Sequence, residues 1–207
     1  MGEAMTRTVQ PFGAILSSAT GAILPAGPIT ERHVSDMGGL YKDETDWRKA
    51  IDAGDPLVYR VDAAPVLDAY GQLLFSITTI EPGAIGSEFF MTKGHWHTEP
   101  VGEFYLGLSG QGLLLLFDGQ EHLSLELAPG TAGYIPPGWA HRTVNPRTEP
   151  FRFLAVYPGG AGHDYERVVR EGMGARVVRG GTTYHIEVGL GPRSMTSEND
   201  GAAPPTK

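Results

Sequence analysis

The stretch Gly94-His95-Trp96-His97 decides the fold, together with Glu103 on its C-terminal side and His141 further along the chain. Side chains two positions apart in a β-strand share a face, so we expect His95 and His97 to point the same way. Glu103 opens the next predicted strand, and His141 arrives from a separate hairpin. If the shared face is the interior of a β-barrel, three imidazole nitrogens and one carboxylate oxygen converge on one point. Such a donor set suits Fe²⁺, Mn²⁺, Ni²⁺ or Zn²⁺.

Composition and charge restrict the class of protein further. The 207 residues are enough for one domain. The absence of cysteine excludes disulfide frameworks, cysteine-ligated metal sites and thiol nucleophiles. Acidic residues outnumber basic ones 24 to 16, and the net charge of −8 argues against a nucleic acid or an anionic membrane as partner. No secretory signal or membrane-spanning apolar run is recognisable, so we expect a cytoplasmic protein.

Short apolar runs separated by glycine and proline predict an all-β sandwich or barrel. The predicted strands are residues 57–61, 73–80, 88–91, 103–108, 113–117, 122–127, 133–135, 141–145 and 151–157, with one or two more within 176–188. Two helices are predicted, one at 43–52 with Thr45 as its cap and one at 164–172. We expect residues 1–20 to form an N-terminal arm, 21–188 a single domain, and 189–207 a disordered tail.

The pattern around His141 matches a known family motif. Every fixed position of the second cupin motif is occupied, by Gly130, Pro136, Gly138, His141 and Asn145. The first cupin motif fits less fully, because five residues separate His97 from Glu103 and Phe89 stands in place of the leading glycine. The chain therefore resembles the cupins, with a departure just before Glu103.

Longer sequence segments indicate which group of cupins the chain resembles. The segments 86–97, 136–145 and 161–165 resemble the cupin-type (archaeal-type) glucose-6-phosphate isomerases, and the likeness covers residues 70–172. The resemblance implies an all-β cupin jelly roll, a β-barrel or sandwich with a few short helices. It also implies a homodimeric enzyme that interconverts glucose 6-phosphate and fructose 6-phosphate. One divalent metal per chain is implied, with Fe²⁺ expected ahead of Mn²⁺, Ni²⁺ or Zn²⁺.

The resemblance also implies roles for individual residues. The metal ligands would be His95, His97, Glu103 and His141. The substrate and its phosphate would be lined by Thr78, Thr92, Gly94, Tyr157 and His163, with Tyr105 near the sugar. Glu103 would also be the catalytic base that moves a proton between C1 and C2, with a hydride shift as the competing mechanism.

Strand parity adds one residue to this set. Lys93 lies two positions before His95, so in a strand it would face the same cavity. Its charge there would offset the repulsion between an acidic protein and a phosphate. Thr92 and Gly94 have the opposite parity. They reach the cavity only if the glycine bends the chain or its N–H approaches the phosphate.

Other interpretations of the same residues stay open. The four ligands also suit an Fe²⁺ or Mn²⁺ cupin oxidoreductase or decarboxylase, or a non-catalytic sugar-binding cupin, because many chemistries share one fold. Thr78 is equally well explained as a strand residue and Tyr157 as a core aromatic. Arg142 is interpreted as structural, on the face opposite His141. Two tryptophans are expected behind the site or at a dimer interface and three histidines at the surface; these are Trp96 and Trp139, and His33, His122 and His185.

Overall fold

The computed structural model describes residues 10–181 and 183–189. Within these residues the strands are β1 (Ile15–Leu16), β2 (Ile23–Leu24), β3 (Ile29–His33), β4 (Leu57–Ala63), β5 (Leu73–Ile80), β6 (Ala84–Ile85), β7 (Glu88–Phe89), β8 (Glu103–Ser109), β9 (Gly112–Phe117), β10 (His122–Leu127), β11 (Ala132–Ile135), β12 (Ala140–Val144), β13 (Phe151–Pro158), β14 (Ala175–Gly180) and β15 (Thr183–Val188). The helices are α1 (Glu44–Asp52) and α2 (Tyr165–Glu171), with a 3₁₀ helix at Val34–Met37. No helix in the described part of the chain is long and apolar enough to cross a membrane.

Antiparallel sheets surround one main hydrophobic core. The largest sheet has the order β11-β8-β13-β5-β4-β3, and two smaller sheets have the orders β10-β9-β12 and β15-β14-β7-β6. Leu114 on β9 and Phe153 on β13 belong to the same buried cluster, so the three-stranded and six-stranded sheets share this core. In β8, buried Glu103 and Tyr105 flank the more exposed Phe104, as expected for a strand with one face inward. The predicted all-β fold with a few short helices is confirmed.

The segment that carries the two close histidines is not a regular strand. Isolated bridges join Met91 to Val144, His95 to His141 and Trp96 to Asp164. Gly94 has φ of +71°, a left-handed conformation that interrupts a continuous pleat and that glycine adopts at little cost. The predicted strand at 88–91 is therefore too long, because the regular strand β7 ends at Phe89.

The first helix is capped by a different residue from the one predicted. The Asp43 side chain accepts a hydrogen bond from the N–H of Asp46 (2.9 Å), which makes Asp43 the N-cap. The prediction of Thr45 was wrong, since Thr45 already lies inside the first turn. The second helix begins after Asp164 and ends at Gly172, where it was predicted.

The predicted arm and tail are only partly described. Residues 1–9 and 190–207 lie outside the described residues. Strand β1 pairs with β2, so Ile15 and Leu16 are hydrogen-bonded across the predicted boundary at residue 20.

Candidate active site

Four potential metal ligands converge at one point of the core. One ligand atom from each of His95, His97, Glu103 and His141 lies within 4.8 Å of the others. Glu103 is the first residue of β8 and His141 lies in β12. Two backbone hydrogen bonds between His95 and His141 (N···O 3.2 and 3.1 Å) hold the histidine segment against β12. All four residues predicted as ligands are thus brought together.

The hydrogen bonds of these side chains leave nitrogen lone pairs that can bind a cation. His97 Nδ1 lies 3.1 Å from the carbonyl oxygen of Gly162, and His141 Nδ1 approaches the carbonyl of Trp139 at 3.5 Å. A carbonyl only accepts, so the tautomer with its hydrogen on Nδ1 satisfies these two contacts and leaves the Nε2 lone pair for another partner. Both Nε2 atoms face Glu103 Oε2, at 3.1 and 2.8 Å, an oxygen that itself only accepts.

The Nε2 atoms of His95 and His141 support the same conclusion. Among the described residues, His95 Nε2 is buried and has no hydrogen-bond partner, and His141 Nε2 is not aligned for a hydrogen bond despite its closeness to Glu103. Buried polar atoms without partners are rare in proteins and mark sites that take water or an ion. The donor set therefore fits a divalent metal held by three imidazoles and one carboxylate.

The protonation states suit this assignment. Burial alone would raise the pKa of Glu103, but the imidazoles of His141 and His97 outweigh it and lower the pKa to about 2. Burial, with the neighbouring imidazoles of His141 and His163, lowers the pKa of His95 well below its usual value. A carboxylate and a neutral imidazole are the forms that bind metals.

The segment 161–165 closes the site from one side. The N–H of Asp164 donates to the carbonyl of Trp96 (2.8 Å), which fixes the start of α2 against the histidine segment. His163 and Tyr165 then lie beside His95, with ring centroids 4.4 and 5.5 Å away. The segment is further held by Arg167, whose guanidinium lies 3.7 Å from the centre of the Trp96 ring.

A cavity of about 260 Å³ opens onto the ligand cluster. It is lined by His95, Glu103 and His141 and by every residue predicted to bind substrate: Thr78, Thr92, Lys93, Gly94, Tyr105, Tyr157 and His163. His97 does not line it. Trp96, which is buried, and the half-buried Trp139 are also absent from the lining.

The bend at Gly94 explains how consecutive residues face the same cavity. Thr92, Lys93 and Gly94 all line it, which a pleated strand does not allow. The condition stated from the sequence, that the glycine bends the chain, is met by its φ of +71°.

Sequence reasoning missed ten of the lining residues, among them Arg32, Tyr59 and Tyr165. Thr30 and Arg32 on β3 share one face, so alternation along this strand would have located them if the strand had been predicted. Tyr165 stands in the string 161–165 and was passed over there.

The charges around the cavity favour an anionic ligand. Burial and the nearby guanidinium of Arg32 lower the pKa of Lys93 against the opposing attraction of the Asp36 carboxylate, and Arg32 and Lys93 form a basic wall of the cavity. Among the described residues that line the cavity, Glu103 is the one acidic group, and it belongs to the ligand cluster. This wall attracts an anionic group although the chain as a whole is acidic.

Residues 31–187 match the family model described as glucose-6-phosphate isomerase. The chain belongs to the glucose-6-phosphate isomerase family. It is 44% identical to the glucose-6-phosphate isomerase of Thermococcus litoralis over 171 residues, which is 82% of this chain and 90% of that protein. Identity to the glucose-6-phosphate isomerase of Pyrococcus furiosus is 41% with the same coverage. The predicted resemblance to cupin-type glucose-6-phosphate isomerases is confirmed.

More distant similarities were also found. A putative glucose-6-phosphate isomerase 1 of Rhizobium meliloti is 33% identical over 181 residues, 86% of this chain and 85% of that protein. Among solved structures, oxalate decarboxylase from Bacillus subtilis is similar over 51% of this chain and 26% of its own, with 23% identity and a TM-score of 0.41. The family assignment rests on the isomerase relatives and not on this partial structural similarity.

Proposed function

We propose that this chain interconverts glucose 6-phosphate and fructose 6-phosphate in the cavity beside His95, Glu103 and His141. The observation that carries the proposal is a four-ligand cluster opening into a cavity whose other charged residues, Arg32 and Lys93, are cationic. A sugar phosphate offers vicinal oxygens to the cluster and a dianion to the basic wall. The oxidoreductase, decarboxylase and sugar-binding alternatives are not favoured, because the relatives are isomerases.

We further propose that His95, His97, Glu103 and His141 hold one divalent metal, with Fe²⁺ expected ahead of Mn²⁺, Ni²⁺ and Zn²⁺. When bound, such an ion acts as a Lewis acid that polarises the substrate carbonyl and stabilises negative charge on its oxygen. Thr78, Thr92, Gly94, Tyr105, Tyr157 and His163 are proposed to contact the sugar and its phosphate. Lys93 is proposed to supply the positive charge.

Glu103 is the proposed base. It removes the proton from C2 of glucose 6-phosphate, and the electron pair of that bond forms the C1–C2 double bond of an enediol as the carbonyl oxygen takes up a proton. Protonated Glu103 returns its proton to C1 while the proton of the C2 hydroxyl leaves, which gives fructose 6-phosphate. The low pKa of Glu103 limits its basicity, so a hydride shift between the two carbons is the competing mechanism.

The direct test is the conversion of fructose 6-phosphate to glucose 6-phosphate, followed with a coupled dehydrogenase. We expect chelator-stripped protein to be inactive and to regain activity on addition of Fe²⁺, Mn²⁺, Ni²⁺ or Zn²⁺, with the most active ion identifying the preferred metal. Inactivity in protein that binds metal stoichiometrically would contradict the proposal. It would favour the oxidative or binding alternatives.

Substitution of Lys93 by alanine tests the basic wall of the cavity. We expect Lys93→Ala to raise KM for fructose 6-phosphate about tenfold, the size of one charge-assisted hydrogen bond, and to change kcat less. Steady-state kinetics measure both constants. Lys49→Ala is the matched control, because Lys49 lies on α1 in an ion pair with Asp46 (3.0 Å) away from the cavity. An unchanged KM would remove Lys93 from the substrate site.

We propose that the chain is a homodimer that pairs through the outer face of the six-stranded sheet. The register aligns Tyr134, Phe104, Val156 and Phe75 across four strands on this face. Tyr134 is 64% exposed and Phe104 38%, so an apolar row remains open beside the hairpin β1-β2. Apolar rows of this kind are typical of protein interfaces.

Substitution of Tyr134 by aspartate tests the proposed interface, because a charge in the apolar row would oppose pairing. We expect Tyr134→Asp to convert a dimer to a monomer in sedimentation velocity. Leu123→Asp on β10, where Leu123 is 50% exposed, is expected to leave the dimer intact. A wild-type monomer, or a Tyr134→Asp dimer, would contradict this surface. The cytoplasmic location and the division at residues 20 and 188 stay predictions.

A further inference from the structure

The turn Thr92-Lys93-Gly94 is held by two adjacent residues of β12. The N–H of Thr92 donates to the carbonyl of Thr143 (2.9 Å), and the N–H of Thr143 donates to the Thr92 hydroxyl (3.0 Å). The guanidinium of Arg142 donates from both Nε (3.2 Å) and Nη2 (2.6 Å) to the carbonyl oxygen of Lys93. Thr143 and Arg142 do not line the cavity, so they hold the turn from behind.

Arg142 is buried, with 5% of its surface exposed. A guanidinium in the interior loses its hydration, and this costs free energy unless protein groups replace the water. The nearby carboxylate of Glu88 already accepts hydrogen bonds from Arg176 (2.7 Å) and from the N–H of Lys42 (2.6 Å). Two N–H groups of Arg142 instead donate hydrogen bonds to the Lys93 carbonyl. The fork geometry of arginine suits this double contact better than lysine would.

The bound carbonyl restricts the direction of the Lys93 side chain. The N–H of the preceding residue, Thr92, donates to the carbonyl of Thr143, so the backbone is hydrogen-bonded to β12 both just before Lys93 and at the Lys93 carbonyl. The next residue fits closely, since a Cβ on Gly94 would lie 3.0 Å from the Cβ of Arg142. These bonds hold the backbone of Lys93 in place at the cavity that this residue lines.

We propose that Arg142 is a positioning residue for the anionic group of the substrate: by holding the Lys93 carbonyl, it keeps the Lys93 ammonium directed into the cavity. The inference rests on the proposed function, because it takes a phosphorylated sugar as the occupant. It goes beyond a structural role for Arg142. If Arg142 is a positioning residue, its loss weakens anion binding and leaves metal binding and the chemical step largely intact.

The test compares Arg142→Met and Arg142→Lys with the metal-loaded wild-type enzyme. Methionine occupies the space of the arginine stem without donors, and lysine keeps the charge without the planar fork. We expect Arg142→Met to raise both the KM for fructose 6-phosphate and the Kd for inorganic phosphate about tenfold, the effect of a misplaced charge-assisted hydrogen bond. Its kcat and bound metal should stay close to wild type, and Arg142→Lys should give intermediate values.

Arg176→Met is the matched control. Arg176 donates to Glu88 and to the carbonyl of Leu40 rather than to the turn, so its loss is expected to leave KM unchanged. Loss of metal from the Arg142 variants, or a lower kcat with unchanged KM, would assign Arg142 to the support of His141 and overturn the proposal. Failure of both variants to fold would overturn it as well.

The two proposals fail in distinguishable ways. A wild-type enzyme without isomerase activity would contradict the proposed function before any variant is compared. Calorimetry with inorganic phosphate would still test the positioning role of Arg142. Equal phosphate affinity in Arg142→Met and wild type would overturn that role.

Discussion

Replacing His95 by alanine is expected to remove the metal and the isomerase activity together. In the described part of the chain, His95 Nε2 is buried without a hydrogen-bond partner, so this nitrogen is free to bind a group that is not part of the chain. Loss of a partner that merely supports a ligand costs about 10-fold to 100-fold in metal affinity or activity. Loss of the ligand itself should cost at least about a hundredfold in kcat/KM by the same scale.

The measurement is metal content by elemental analysis, together with isomerase activity and circular dichroism on the same preparation. His185→Ala is the matched control, because His185 lies on β15 with its side chain 55% exposed. It should keep both metal and activity. Full activity in His95→Ala without bound metal would refute a metal-dependent reaction, and full metal content would show that His95 is not a ligand. His95→Gln separates ligand loss from a packing defect, since it fills more of the space.

The cluster could be predicted from sequence because its signal is local. His95 and His97 are two residues apart, and His141 stands inside a motif with fixed spacings from Gly130 to Asn145. The reason given for their convergence was only partly right, because His95 and His97 do not lie in a pleated strand. Their positions come from bridges to His141 and from the bond between His97 and the Gly162 carbonyl, which are long-range pairings. Spacing identified the ligands, and tertiary hydrogen bonds orient them.

The part of the cavity lined by Arg32 and Tyr59 could not be predicted in the same way. Arg32 lies on β3, which pairs with β4, and β4 places Tyr59 beside it. Neither residue stands near a recognisable motif, and which face of an edge strand is buried depends on what packs against it. The same limit applies to Arg142. Strand parity put it on the face opposite His141, but its contact with the Lys93 carbonyl depends on the bend at Gly94.

Substitution of Glu103 by glutamine is expected to lower turnover far more than metal content. A general base contributes about 10²-fold to 10⁴-fold to a rate, so kcat should fall by about a thousandfold. Glutamine keeps an oxygen that faces His97 and His141, and three imidazoles remain, so much of the metal should be retained. Elemental analysis and coupled kinetics on one preparation give the two numbers. Equal losses of metal and turnover would leave Glu103 a ligand and nothing more.

An isotope experiment on the wild-type enzyme decides what the Glu103 carboxylate does. Glucose 6-phosphate deuterated at C2 should lose deuterium to water if Glu103 carries the proton, because a proton on a carboxyl oxygen exchanges with solvent. A hydride shift would carry the deuterium intact to C1. The buried position of Glu103, 4% exposed, slows exchange, so partial transfer with measurable washout still indicates a base. Complete retention at C1, together with an active Glu103→Gln variant, would assign the transfer to a hydride shift and leave the carboxylate as a metal ligand alone.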